Sequence, residues 1–110
     1  MSKHLLIVGS GSVGRRHARN LAALGCRISC MDPREDRRAE LDAEAPCVGT
    51  FATLEEALAA GNLDGVVIGS PPSVHVAQAI ATLEAGLQVL LENPLSPDLA
   101  GARALRDAEA

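Results

Sequence analysis

Leu5-Leu6-Ile7-Val8-Gly9-Ser10-Gly11-Ser12-Val13-Gly14 is the stretch whose reading decides the fold. A short apolar run followed directly by G-x-G-x-x-G, and then by a helical pattern, reads as a strand, a tight turn and a helix arranged to hold a pyrophosphate. Each glycine has its own reason. Gly9 permits the turn. Gly11 lets the backbone approach phosphate oxygens because no Cβ intervenes, and Gly14 lets the helix lie close on its strand. Ser12 and Val13 open that helix, whose first N–H groups have no intrahelical acceptor and face the anion. A glycine turn alone is weak support. What strengthens it is Asp32, at the end of the next apolar run, Arg27-Ile28-Ser29-Cys30-Met31, where a carboxylate accepts hydrogen bonds from an adenosine ribose.

The rest of the chain alternates strand-like runs with helical patterns. A first strand over about residues 3–8 leads to a helix with Val13, His17, Leu21 and Leu24 at helical spacing, stopped by Gly25. Pro33 is expected to open a charged helix reaching about Glu44, followed by a short extended piece near Cys47-Val48. Thr53 caps a small helix to Ala60, with Glu56 placed for a capping box, and Gly61-Asn62 breaks the pattern. Gly65-Val66-Val67-Ile68-Gly69 is a continuous apolar run, as in a parallel strand covered on both faces. Ser73 is expected to cap the next helix, Gln88-Val89-Leu90-Leu91 is a fifth strand, and Ser96-Pro97 starts a last helix. This alternation predicts an α/β fold: a doubly wound, Rossmann-like parallel sheet of about five strands in three α/β/α layers.

At 110 residues the chain reads as one domain, 1–110, and its 47% hydrophobic and 22% charged residues indicate a packed core rather than disorder. One Phe, no Trp and no Tyr leave almost no stacking platform for nucleic acid bases, and the net charge of −4 also argues against a phosphate-backbone binder. Arg15, Arg16, Arg34, Arg37 and Arg38 read mostly as solvated helix faces. Three cysteines give no disulfide framework; Cys26 and Cys30 share strand parity but are not expected to bond, and no His/Cys spacing matches a metal site. No stretch approaches a signal-peptide core or a membrane span, so no membrane partner is expected and a reducing cytoplasmic setting is the default. His4 and His17 read as ordinary structural residues.

Two further segments sit just past strand ends, where open α/β sheets bind ligands: Ser70-Pro71-Pro72-Ser73-Val74-His75, and Glu92-Asn93-Pro94. With the glycine motif, Asp32, Pro71-Pro72-x-x-His75, Ala85-Gly86 and Glu92-x-Pro94, the chain resembles, over essentially its whole length, the nucleotide-binding half of the Gfo/Idh/MocA oxidoreductases. The resemblance implies that Ser70, Pro71 and His75 lie near a nicotinamide and Glu92 beside its ribose. His75 reads equally well as a first-turn helix residue satisfied locally. NAD rather than NADP is the expected cofactor, because the Asp32 carboxylate suits a 2′-hydroxyl and repels a 2′-phosphate. Arg34, two residues on, is the residue that could instead take such a phosphate.

Two departures from the family pattern matter. Asn93 stands where the family has a lysine expected to contact the nicotinamide ribose and substrate, and an asparagine exchanges no proton near neutral pH. No catalytic residue is therefore assigned. The chain also stops where a sixth strand and the family's substrate domain would begin, so that domain is expected to be absent and the chain inactive alone. The open edge of the fifth strand then predicts a homo-oligomer, or pairing with the missing domain. The alternative function is a non-catalytic nucleotide-sensing or interaction module. An S-adenosylmethionine binder fits the Pro71-Pro72 and Glu92-Asn93-Pro94 segments poorly.

Overall fold

The strand His4–Val8 (β1) lies at the centre of the sheet because its sequence, HLLIV, has apolar side chains for both faces; Leu6, Ile7 and Val8 are completely buried. Each such side chain contributes about 1.5–3 kcal/mol when removed from water. The computed structural model describes residues 3–91. In chain order the other elements are helix Ser12–Ala23 (α1), strand Arg27–Met31 (β2), helix Glu35–Glu44 (α2) and strand Cys47–Phe51 (β3). Helix Leu54–Ala60 (α3), strand Gly65–Ile68 (β4), helix Pro72–Glu84 (α4) and strand Gln88–Leu91 (β5) follow. All pairings are parallel and the strand order is β3-β2-β1-β4-β5. The chain therefore reverses its direction of travel across the sheet beside β1, where β4 inserts against it with Leu6 opposite Val66 and Val8 opposite Ile68.

Alternation along the strands sends side chains to two separate cores. Ile7, Ile28, Cys30 and Val67 pack with Ala18 of α1 and Leu41 of α2 on one face. Leu6, Val8, Met31, Val66 and Ile68 pack with Leu54 and Ala57 of α3 and Ala79 of α4 on the other. The result is the doubly wound, three-layer arrangement expected from the alternating sequence. Among the described residues no helix is long and apolar enough to cross a membrane. All three cysteines are free, and Cys26 precedes β2 rather than sharing its pleat with Cys30. The Cys47 thiol donates to the Ala45 carbonyl at 3.3 Å; the proximity of the Cys30 and Cys47 sulfurs draws the Cys30 thiol below its ordinary pKa and, with burial, raises that of Cys47.

Three boundaries differ from the sequence expectation. Helix α2 begins at Glu35, not at Pro33, because the Asp32 carboxylate accepts the Arg34 N–H at 2.8 Å and holds residues 32–34 in a turn first. Helix α4 begins at Pro72 with Pro71 as its N-cap, so Ser73 lies inside the first turn instead of capping it. The extended piece after α2 is a full five-residue strand along β2, with an irregular register between Ile28 and Ser29. Thr53 does cap α3: its hydroxyl accepts from the Glu56 N–H at 3.2 Å and donates to the Glu56 carboxylate at 3.1 Å. The helix expected from Ser96 lies outside the described residues.

His4 ties the lower end of the sheet together. Its backbone N–H donates to Asp64 Oδ2 at 2.8 Å, while its buried ring bridges the Asn62 carbonyl at 2.8 Å and Ser29 Oγ at 2.7 Å. A carbonyl only accepts, so Nδ1 holds the proton and, in the neutral ring, Nε2 accepts from the serine hydroxyl. We expect His4→Ala to lower the unfolding free energy by about 1–3 kcal/mol in urea titration, since it strands the buried Ser29 hydroxyl and takes the ring away from the Asn62 carbonyl. A change below about 0.5 kcal/mol would show that water satisfies them equally well.

Candidate functional site

A cleft of about 940 Å³ opens at the carboxyl ends of the strands, lined by the turns that follow β1, β2, β3 and β4. It straddles the point where the strand order reverses, the place at which an open α/β sheet leaves a crevice between diverging connections. The glycines of the first turn divide into two kinds. Gly9 has φ +93°, and a Cβ there would lie 2.8 Å from the Ser70 nitrogen; its own N–H donates to the Met31 carbonyl at 2.7 Å. A Cβ on Gly14 would lie 1.8 Å from the Gly9 carbonyl oxygen, so α1 is pressed directly against the end of β1. These two positions are glycine because the fold leaves no room. Gly11 is different: its φ of −77° suits any residue, and a Cβ would meet only the Arg37 guanidinium, at 3.6 Å. Packing within the described protein does not demand a glycine there.

Beside Gly11, α1 starts without a side-chain cap and without an acidic residue in its first turn, so its opening N–H groups face the cleft with a partial positive charge. Ser12 and Val13 line the same wall.

Asp32 is the fixed acceptor of the site. It is only 6% exposed. Its Oδ2 accepts from the Ser10 N–H at 2.9 Å and its Oδ1 from the Arg34 N–H at 2.8 Å. The two bonds clamp the turn after β1 to the turn after β2 and leave lone pairs on each oxygen for further donors. Arg34 serves this arrangement through its backbone. Its guanidinium forks onto Asp36 at 2.7 and 3.1 Å and holds that carboxyl below its usual pKa. Arg38 donates from Nη1 to the Asp32 backbone carbonyl at 2.6 Å.

The opposite wall belongs to α3 and α4. Leu54, Val74, Ala77 and Ala81 make it aliphatic, and Gln78 adds an amide whose Oε1 accepts from the Ser70 hydroxyl. Thr82, completely buried, donates to the Gln78 carbonyl at 2.9 Å and fixes that turn of the helix. Of the expected site residues, Gly9, Gly11, Ser12, Val13, Asp32, Arg34, Ser70 and Pro71 line this one cleft, and Gly14 stands behind it as a packing residue. His75 lies in α4; Glu92 and Asn93 fall outside the described residues. Sequence reasoning missed Arg37, Gln78 and the 52–55 segment. The last was legible in principle, since it follows a strand as the other site segments do.

Comparison with known proteins adds to this geometry. Residues 3–110 match the model of the Gfo/Idh/MocA group, described as an oxidoreductase family with an NAD-binding Rossmann fold. Inositol 2-dehydrogenase of Corynebacterium glutamicum is 38% identical over 103 residues, covering 89% of this chain and 31% of that enzyme. Among solved structures, a myo-inositol dehydrogenase from the same organism superimposes with a TM-score of 0.90 at 29% identity, over 99% of this chain and 33% of that one. The WlbA dehydrogenase of Bordetella pertussis, in complex with NADH and UDP-GlcNAcA, shares the fold with a TM-score of 0.91 at 24% identity, over 98% of this chain and 33% of its own. The chain thus spans about a third of the length of the relatives it matches.

The contrast between the glycines is testable. Gly14→Ala should destabilise by about 3 kcal/mol or more, since a Cβ at that position collides with backbone. Gly11→Ala should stay within about 1 kcal/mol of the parent, because its backbone is unstrained. Thermal unfolding of both variants checks this, and equal losses would erase the distinction.

Proposed function

This chain belongs to the Gfo/Idh/MocA oxidoreductase family, and on that premise we propose that it is the NAD-binding part of an enzyme that oxidises a secondary hydroxyl of a polyol or sugar. The observation that bears most on the reading is the pairing of Gly11 with Asp32. One is a glycine that internal packing does not explain; the other is an acceptor-only side chain fixed by two N–H groups and left with spare lone pairs. A dinucleotide accounts for both. Its pyrophosphate takes the space over Gly11 at the start of α1, and the adenosine ribose hydroxyls donate to Asp32.

When bound, the nicotinamide supplies the hydride acceptor. This chain's residues orient it. The aliphatic wall of α3 and α4 accepts the flat adenine without an aromatic partner, and Ser70 and Pro71 lie along the path toward the nicotinamide half. His75 and Glu92 are proposed at that end, and a cytoplasmic setting accords with the free thiols. A second copy, or a further domain supplying the substrate pocket, is the proposed partner along β5.

Asn93 favours a second reading, a module that binds the nucleotide without turnover, because it lacks the ammonium that a lysine would bring to the reacting hydroxyl. The two readings part on one substitution. If the protein is an enzyme slowed by this residue, Asn93→Lys, assayed with the proposed substrate-pocket domain or partner present, should raise its NAD-linked oxidation of inositol by about a hundredfold, the lower end of the range for a general acid–base group. No oxidation by either form across polyols and sugars, with the proposed substrate-pocket domain or partner present, would favour the non-catalytic module.

Cofactor choice follows from Asp32. A 2′-phosphate would bring two negative charges against a buried, hydrogen-bonded carboxylate, and the Arg34 side chain is already committed to Asp36. We expect NADH to bind more tightly than NADPH in calorimetry, and Asp32→Ala to narrow the gap by about tenfold, equivalent to ~1.4 kcal/mol. Tighter binding of NADPH by the parent protein would overturn the preference.

A further inference from the structure

Resting on the dinucleotide reading, we propose that Arg37 is the cation that closes over the bound pyrophosphate, gripping its oxygens from α2 while the first turn of α1 holds them from the other side. Arg37 is the third residue of α2, half-buried, on the cleft wall. Its Nη1 is the atom that a Cβ on Gly11 would approach, at 3.6 Å, so the guanidinium hangs beside the glycine that leaves space for phosphate.

The surrounding charges are already spoken for. Arg34 forks onto Asp36, Arg38 is bonded to the Asp32 carbonyl, and Arg15 and Arg19 reach across from α1 to acidic residues of α2, Glu40 and Glu44. Among the described residues the Arg37 guanidinium alone of these has no hydrogen bond or ion pair. A half-buried guanidinium without an anionic partner, at the edge of a cleft, is poised for an anion supplied from outside.

The charge balance of the cleft calls for one. Its charged lining consists of Asp32, Arg34, Arg37 and Glu55, with Arg34 neutralised by Asp36. Without Arg37 a doubly negative pyrophosphate would face two carboxylates, offset only by the start of a helix. The planar fork of a guanidinium can hold two phosphate oxygens at once, which a lysine cannot do. The position beside Gly11 assigns Arg37 to the phosphates shared by every such dinucleotide, not to a 2′-phosphate beyond Asp32.

Calorimetry with NADH, NADPH and ADP-ribose on the parent chain, Arg37→Ala and Arg37→Lys tests the assignment, with Arg19→Ala as a surface control. Arg37→Ala should weaken all three ligands by a similar factor, about tenfold or more, with partial recovery in Arg37→Lys and no change in melting temperature. NADH affinity unchanged within twofold would overturn the proposal, and so would a loss confined to NADPH. Failure of the parent chain to bind any of the three would instead overturn the dinucleotide reading. Should Arg37→Ala unfold, the Lys variant gives the same decision, since a folded protein with parental affinity excludes the two-oxygen grip.

Discussion

Everything in this domain depends on three backbone segments meeting at one place with no room for a Cβ. The Gly9 carbonyl lies where a Gly14 side chain would begin, and Gly9 itself touches the backbone of Ser70. The end of β1, the start of α1 and the turn after β4 are thereby fixed within van der Waals contact of one another. That contact sets the crevice. It stands where the chain, having built the sheet toward β3, returns to add β4 on the other side of β1. A larger residue at Gly14 would push α1 off the end of β1, and one at Gly9 would push away the turn after β4, either way widening the gap between the two halves.

The rest of the site is arranged around that crossing by hydrogen bonds from a single side chain. Asp32 holds Ser10 in one turn and Arg34 in the next, so the acceptor and the glycine loop move as one piece. Because the carboxylate is bonded to main-chain N–H groups, its position is independent of long, flexible side chains. Preorganisation of this kind spares a ligand the cost of ordering its own site. The same turn decides which arginine of the cleft lacks a partner. By delaying the start of α2 to Glu35, it leaves Arg34 on the cleft wall paired with Asp36 and brings Arg37 round beside Gly11.

Much of this was legible in the residues alone, for physical reasons. Parallel central strands are buried on both faces, so Leu5–Val8 and Gly65–Ile68 stand out as unbroken apolar runs. The glycine spacing announces the crossing, and Thr53 announces α3. What was hidden depends on tertiary direction. CVGTF reads poorly as a strand because β3 is an edge whose burial alternates, with Val48 exposed and Gly49 tucked against the Phe51 ring. Arg34 was favoured over Arg37 because sequence distance from Asp32 was the only guide; the fork onto Asp36 is invisible until the helix start is known. Likewise Gln78 is one polar residue in an apolar helix until Ser70 is placed against it.

Backbone amide shifts on titration with NADH offer the most direct test of the central claim, that the crevice at the strand reversal is a dinucleotide site. The account predicts saturable shifts at Gly9, Gly11, Ser12, Val13, Asp32 and Ser70, with His4, Arg27 and Asn62, at the other end of the strands, unmoved. No saturable shift, or shifts centred on His4, Arg27 and Asn62 instead, would contradict it.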